Sequence, residues 1–190
     1  DCAKVVAAGA CYDGDPWDLV ITPRWIKKAL PIYSVLTLSA TGSEMDPFAV
    51  ISDMSKNEKW GTSSEHMKPK MSILDPEYTY SVSKKQTAAG TADMISHICE
   101  NYFTNVKNAD VQARFAEGLL KNCFKYGPIA LEEPDNYDAR ANLMWTASMA
   151  INGILSDGAE VSWCVHPMEH ELSAFYDITH GEGLAILTPH

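Results

Sequence analysis

Ser83-Lys84-Lys85-Gln86-Thr87-Ala88-Ala89-Gly90-Thr91-Ala92-Asp93-Met94-Ile95-Ser96-His97 marks the point where the texture of the chain changes. Ser83 followed three residues later by Gln86 fits a capping box, in which the serine accepts from a backbone N–H and the glutamine reaches back. From here on, β-branched runs vanish and apolar residues recur at helical spacing. The spacing predicts helices over Thr91 to Phe103, Ala109 to Lys125, Tyr137 to Leu155, Val161 to Ala174 and Gly181 to Leu187.

Upstream the pattern is mixed. Asp1 to Ala10 reads as an Ala/Val-rich helix with Asp1 as its candidate cap. Tyr12 to Trp17 reads as a loop from its turn residues, and Trp25 to Leu30 as a short helix ended by Pro31. Ile32 to Thr37, Phe48 to Ser52 and Met71 to Leu74 read as strands, the last stopped by Asp75-Pro76. Between them the polar stretch from Lys56 to Lys70 reads as a hairpin or loop excursion. The expected fold is thus an α/β segment to about residue 80 followed by an all-helical segment, with no internal repeat.

Of the 190 residues, 46% are hydrophobic and 21% charged, the balance of a globular protein. No apolar run approaches the roughly 20 residues that span a bilayer, so no membrane is expected as a partner. No basic stretch leads into an apolar one at the start. A net charge of −10 repels a phosphate backbone and argues against nucleic acid. The five cysteines are scattered without a CxxC, which reads as free, mostly buried thiols in a reducing cytoplasm. Met144, Trp145, Met149 and Trp163 read as core, Trp163 also as a cleft wall.

Asp93 and His97 are four apart in a predicted helix and so share one face. If buried, the pair needs a partner, and a metal is one solution. An Asp–His hydrogen bond on a solvated face is the other. His166 and His170 repeat the spacing, and His180 follows just before Gly181, where a turn can present its ring to the preceding helix. Imidazoles with one carboxylate suit a borderline divalent ion such as Zn²⁺ or Fe²⁺. Five groups then compete for a site that usually takes four, and spacing alone leaves either His166 or His170 outside it. Glu169 and Glu171 read as surface residues on the other side of the helix.

The string Gly90-x-x-Asp93-x-x-x-His97, then His166-x-x-x-His170-x-Leu172-x-Ala174-Phe175 and His180-Gly181, resembles the iron-containing (group III) alcohol dehydrogenase family. Thr37-Leu38-Ser39-Ala40-Thr41-Gly42-Ser43-Glu44 is similar to that family's T-x-x-x-T-G-S-E loop. Leu74-Asp75-Pro76, Arg114 to Gly118, Glu133 to Asp138 and Arg140 to Asn142 are similar to segments of its NADPH-dependent butanol dehydrogenase and aldehyde reductase branch. The resemblance covers essentially the whole chain. It implies metal ligands Asp93, His97, His166 and His180, with His170 in the cleft as a proton relay of pKa near working pH; a packing histidine is the alternative. His97 sets the chain apart from glycerol dehydrogenases, which typically lack that residue. On the cofactor side it implies Thr37, Thr41, Gly42, Ser43, Leu74 and Lys59, with Asp1 near the nicotinamide. Apart from the resemblance, Lys59 reads as a solvated loop charge.

The resemblance therefore implies the dehydroquinate synthase-like architecture of this family. Residues 1–80 would be the later part of a nucleotide-binding α/β domain, and residues 81–190 the first part of a helical metal-binding catalytic domain. It implies hydride transfer between a nicotinamide, NADP(H) ahead of NAD(H), and a small alcohol or aldehyde, in a protein that is a homodimer at full length. Two other readings stay open: a metal-binding helical module without redox chemistry, and a lyase or synthase on the same scaffold. The family's glycine-rich phosphate loop would precede Asp1, and family members continue past Pro189-His190, so the sequence reads as an internal segment. The 190 residues alone are expected to reduce aldehydes only feebly with NADPH; robust NADPH oxidation by the purified chain contradicts that expectation.

Overall fold

The computed structural model describes residues 1–190. Helix α1 spans Cys2–Gly9 and α2 spans Pro16–Ile21. The loop expected from Tyr12 to Trp17 is present through Asp15, and α2 cuts it short by starting at Pro16. Asp15 accepts from the Trp17 N–H and Pro16 occupies the first turn, so the turn residues are a helix cap. The helix expected over Trp25 to Leu30 is replaced by a single 3₁₀ turn at Pro23–Trp25. The chain beyond runs back along α1, where the Leu30 N–H donates to the Ala7 carbonyl at 2.9 Å.

Four short strands follow: β1 Tyr33–Val35, β2 Phe48–Asp53, β3 Glu58–Ser63 and β4 Met71–Ile73. Strands β1 and β4 pair in parallel, with Ser34 opposite Ser72, and their hydroxyls bond at 2.7 Å. Strands β2 and β3 form an antiparallel hairpin with Ile51 opposite Trp60. Its tip is set by Asp53, whose carboxylate accepts from the Ser55 N–H and hydroxyl, and by Asn57 at φ 53°. Ala49 and Met67 close this part's core against Ala8, Leu19 and Ile26.

From Lys84 onward every element is a helix: α3 Lys84–Tyr102, α4 Asp110–Glu132, α5 Tyr137–Ile151, α6 Val165–Tyr176 and α7 His180–Leu187. Ser83 caps α3 by accepting from the Gln86 N–H at 3.3 Å, and the helix begins there rather than at Thr91. Helix α4 runs through Pro128 instead of ending at Lys125. Proline removes one backbone donor, but Ala130 and Ile129 beyond it pack in the core, which favours continuing the helix. Helix α5 stops at Ile151, short of Leu155, because Asn152 leads into Gly153 at φ 103°. The core of this segment holds Met94, Ile98, Cys123, Leu143 and Leu155.

Helix α7 packs on α3 through Gly181. A Cβ at Gly181 would intrude on the Ala89 carbonyl, so glycine serves close helix approach here rather than the expected turn. Trp145 is exposed rather than core, being on the outer face of α5, whereas Met144 is buried. Among the cysteines only Cys123 is buried, its thiol pushed up to about 12 by burial, while Cys2 and Cys164 are exposed. This corrects the expectation of mostly buried thiols. No helix is long and apolar enough to cross a membrane.

The Gly181→Ala substitution must therefore shift α7 against backbone that cannot yield. It is expected to destabilise the chain by about 1–3 kcal/mol, read as a lower urea midpoint at unchanged slope. An unaltered midpoint contradicts this packing.

Candidate metal centre

Helix α3 places Asp93 and His97 one turn apart on the face turned toward α6 and α7. Helix α6 supplies His166 and α7 begins with His180. The Nε2 atoms of His97 and His166 lie 3.5 Å from Asp93 Oδ1, and that of His180 lies 3.7 Å away. These separations are too long for good hydrogen bonds. Asp93 Oδ1 and His166 Nε2 are in fact buried without a hydrogen-bond partner.

This spacing fits a common ion. Tetrahedral ligands about 2.1 Å from a metal lie about 3.4 Å from one another. Ligand atoms of Asp93, His166 and His180 all fall within 4.8 Å of each other. His97 reaches the same Asp93 oxygen but stands to one side, its ring stacked on His166 with centroids 4.5 Å apart. The donor set of one carboxylate and three imidazoles fits a borderline divalent cation.

Two buried glutamates complete the cluster, and sequence reasoning missed both. His166 Nδ1 donates to Glu100 and His180 Nδ1 donates to Glu169. An ionised carboxylate only accepts, so each Nδ1 carries a proton, which leaves Nε2 as the ring nitrogen turned toward Asp93 and the one a cation would use. Glu100 also accepts from the backbone N–H groups of Cys164, Val165 and His166, at 2.7, 2.9 and 3.3 Å. It is the cap of α6, which explains why that helix starts at Val165 rather than Val161. Glu169 has no exposed surface, which corrects its reading as a surface residue. The available signal was periodicity: Glu100 is seven residues after Asp93 and Glu169 three after His166, both on the ligand-bearing faces.

Burial alone would push the Asp93 carboxyl up, but His97, His180 and His166 outweigh it and hold it below its usual range. Burial likewise lowers His166, yet Asp93 and Glu100 prevail and raise its imidazole to about 9. The cluster thus favours positive charge at this point. His97, whose buried Nδ1 has no partner, is pushed down to about 4 by burial. His170 is also lowered to about 4, by burial and then by Lys59 and His180. This corrects the expected pKa near working pH: His170 is neutral there.

A cleft of about 510 Å³ opens in front of the cluster and carries His97, His166, His170 and His180 on one wall. Trp163 stands edge-on to His97 and His166, at centroid distances of 5.9 and 5.3 Å. Asp1, Thr41, Ser43 and Lys59 line the same cleft. Asp1 accepts from the Ser43 hydroxyl at 2.8 Å and from the Val50 N–H at 3.0 Å. Lys4 is buried against Asp46 at 2.7 Å, holding α1 to the start of β2. Lys59 is not a solvated charge, since its Nζ bonds Ser173 Oγ at 2.6 Å and Glu169 at 3.2 Å.

Thr37, Gly42 and Leu74 lie outside this cleft. Thr37 and Leu74 follow the carboxyl ends of the parallel strands β1 and β4. Gly42, at φ 65°, is pressed against the Ala147 carbonyl of α5, where a Cβ would come within 2.6 Å of the oxygen.

Residues 1–76 match the family model described as iron-containing alcohol dehydrogenase, and residues 87–190 match the C-terminal model of the Fe-containing alcohol dehydrogenase family. The chain is 63% identical to NADH-dependent butanol dehydrogenase A of Clostridium acetobutylicum, over 100% of this chain and 49% of the relative. It is 43% identical to the NADPH-dependent aldehyde reductase YqhD of Escherichia coli, over 100% of this chain and 50% of the relative. The crystal structure of NADH-dependent butanol dehydrogenase A from Thermotoga maritima superposes with a TM-score of 0.95 at 48% identity, covering 98% of this chain and 47% of that one. The chain spans about half the length of the curated relatives it matches.

The uneven support of the imidazoles has a measurable consequence. His166 and His180 are each fixed by a carboxylate and His97 by none, so His97→Ala is expected to weaken Zn²⁺ affinity less than His166→Ala or His180→Ala. Competition titration with a chromophoric chelator checks the order; an equal or greater loss for His97→Ala contradicts it.

Proposed function

Since the chain belongs to the iron-containing alcohol dehydrogenase family, we propose that it works in a metal-dependent oxidoreductase that interconverts small alcohols and aldehydes with a nicotinamide cofactor. The observation that carries this reading is the convergence of three imidazole Nε2 atoms on the unpartnered Asp93 oxygen at the wall of a cleft. Asp93, His97, His166 and His180 are the proposed ligands. When bound, the ion supplies Lewis acidity toward the substrate oxygen and the nicotinamide gives or takes the hydride.

The residues of this chain supply position and electrostatics. One carboxylate among three imidazoles leaves net positive charge once a divalent cation is held, which favours an oxygen that gains negative charge. Trp163 and Ile151 line the cleft as apolar wall, and that wall suits the alkyl part of a small alcohol. His170 is neutral at physiological pH, so it offers one ring nitrogen as donor and one as acceptor at the mouth of the centre. With its pKa held well below the working pH by burial, Lys59 and His180, the His170 imidazole is suited to hydrogen-bond and orient the substrate hydroxyl rather than to store its proton.

For the cofactor, Asp1, Thr41, Ser43 and Lys59 offer polar groups along the same cleft. Thr37 and Leu74 sit beyond the carboxyl ends of the two parallel strands, where open α/β sheets bind nucleotides. The names of the relatives include both NADH and NADPH, so both cofactors belong in the test.

The test is butanal reduction with NADH and with NADPH by the product of the complete reading frame that carries this sequence. Dialysis against a chelator is expected to abolish turnover, and Fe²⁺ or Zn²⁺ to restore it. Asp93→Ala is expected to lower kcat/KM by more than the roughly 10–100-fold typical of an outer partner of a metal site. Turnover indifferent to chelation, or metal uptake without any nucleotide-dependent thermal shift, contradicts the proposal.

A further inference from the structure

The two buried glutamates behind the cluster do different jobs. Glu100 divides its carboxylate between His166 and the backbone N–H groups that begin α6, so part of its value is helix capping. Glu169 caps nothing. Its Oε2 accepts from His180 Nδ1 and from Lys59 Nζ, and its Oε1 is buried with no partner.

A carboxylate without exposed surface is costly to bury unless it is paired and hydrogen-bonded. An apolar side chain would fill position 169 without that cost. Instead, space and charge are both arranged around the glutamate. Gly183 on α7 leaves room for it, since a Cβ there would come within 2.8 Å of Glu169 Cγ and Oε1. Lys59 reaches over from β3, is itself largely buried, and is anchored on Ser173 Oγ at 2.6 Å.

The beneficiary of this arrangement is the His180 ring. Its Nε2 faces Asp93 Oδ1 at 3.7 Å. Lys59 Nζ stands 3.4 Å from its Nδ1, so in isolation the ammonium could donate there and trap the tautomer with the proton on Nε2. That tautomer has no lone pair to offer toward Asp93. The Glu169 carboxylate, which only accepts, holds the proton on Nδ1 and takes the ammonium for itself.

We infer that Glu169 is a positioning residue for the metal ligand His180, with Lys59 as its counter-ion. A side chain of the strand segment thus helps to set the tautomer and aim of an imidazole in the helical segment. This rests on the metal reading above, and Asp93→Ala serves as the arm that tests that reading separately.

The experiment uses Co²⁺ as the probe and involves no turnover. The product of the complete reading frame is titrated against a competing chelator, and its visible ligand-field spectrum is recorded. Glu169→Ala is expected to weaken Co²⁺ binding about 10–100-fold and to shift the spectrum. Glu169→Gln keeps the volume and an acceptor oxygen, and is expected to recover most of the affinity with a spectrum close to wild type. In thermal melts Lys59→Met is expected to lower the midpoint more in the wild-type background than in Glu169→Gln, because only the former leaves a buried carboxylate unpaired.

Wild-type affinity and spectrum in Glu169→Ala, alongside loss of Co²⁺ in Asp93→Ala, overturn the positioning role and leave the metal reading standing. Equal losses in the alanine and glutamine variants with an unchanged spectrum also overturn it. Equal Lys59→Met shifts in both backgrounds overturn the counter-ion assignment. Retention of Co²⁺ by Asp93→Ala, or no Co²⁺ binding by the wild type, overturns both readings.

Discussion

A carboxylate buried to 2% exposure has to be answered by positive charge, and the helical segment is organised around that requirement at Asp93. Three helices each bring an imidazole to one oxygen of it, yet none comes close enough to hydrogen-bond well. Hydrogen bonding alone therefore does not satisfy the cluster, whereas the proposed divalent cation would. The helix contacts follow from this geometry. Glycine at 181 lets α7 come against α3, and glycine at 183 leaves room for the glutamate behind His180. The Glu100 side chain fixes where α6 starts.

The strand segment contributes the opposite wall of the cleft. Its hairpin is tied down by the buried Lys4–Asp46 pair, which joins α1 to β2. Strand β3 is polar because Lys59 and Thr62 face inward, Lys59 to Glu169 behind the proposed metal ligands and Thr62 to the Leu19 carbonyl. That polarity is why the stretch from Lys56 to Lys70 carries no strand pattern in the sequence. Burial here comes through hydrogen bonds rather than through apolar alternation.

Local chemistry explains which features were legible. The Ser83 cap, the change to helical spacing and the i, i+4 pair Asp93/His97 are written within a few residues, and the structure bears out each as local structure. The four proposed ligands emerge from the family pattern and lie together in space. Features set by distant partners were not legible. Nothing near Val165 marks a helix start, because its cap comes from Glu100, 65 residues earlier. Likewise Glu169 looks like an ordinary surface glutamate until Lys59 and His180 are placed beside it. Gly42 and Gly181 suggested cofactor-side and turn roles, but each lies where another helix's carbonyl leaves no room for a Cβ.

Asp93, His97, His166 and His180 are proposed to hold one divalent ion. Anomalous diffraction at a metal edge, on crystals of the complete protein grown with Zn²⁺ or Fe²⁺, tests it most directly. A single strong peak is expected about 2.0–2.2 Å from Asp93 Oδ1 and from the Nε2 atoms of His166 and His180, with His97 completing the set. A peak seated instead among Glu169, His170 and His180, or no peak at Asp93 under saturating metal, would contradict it.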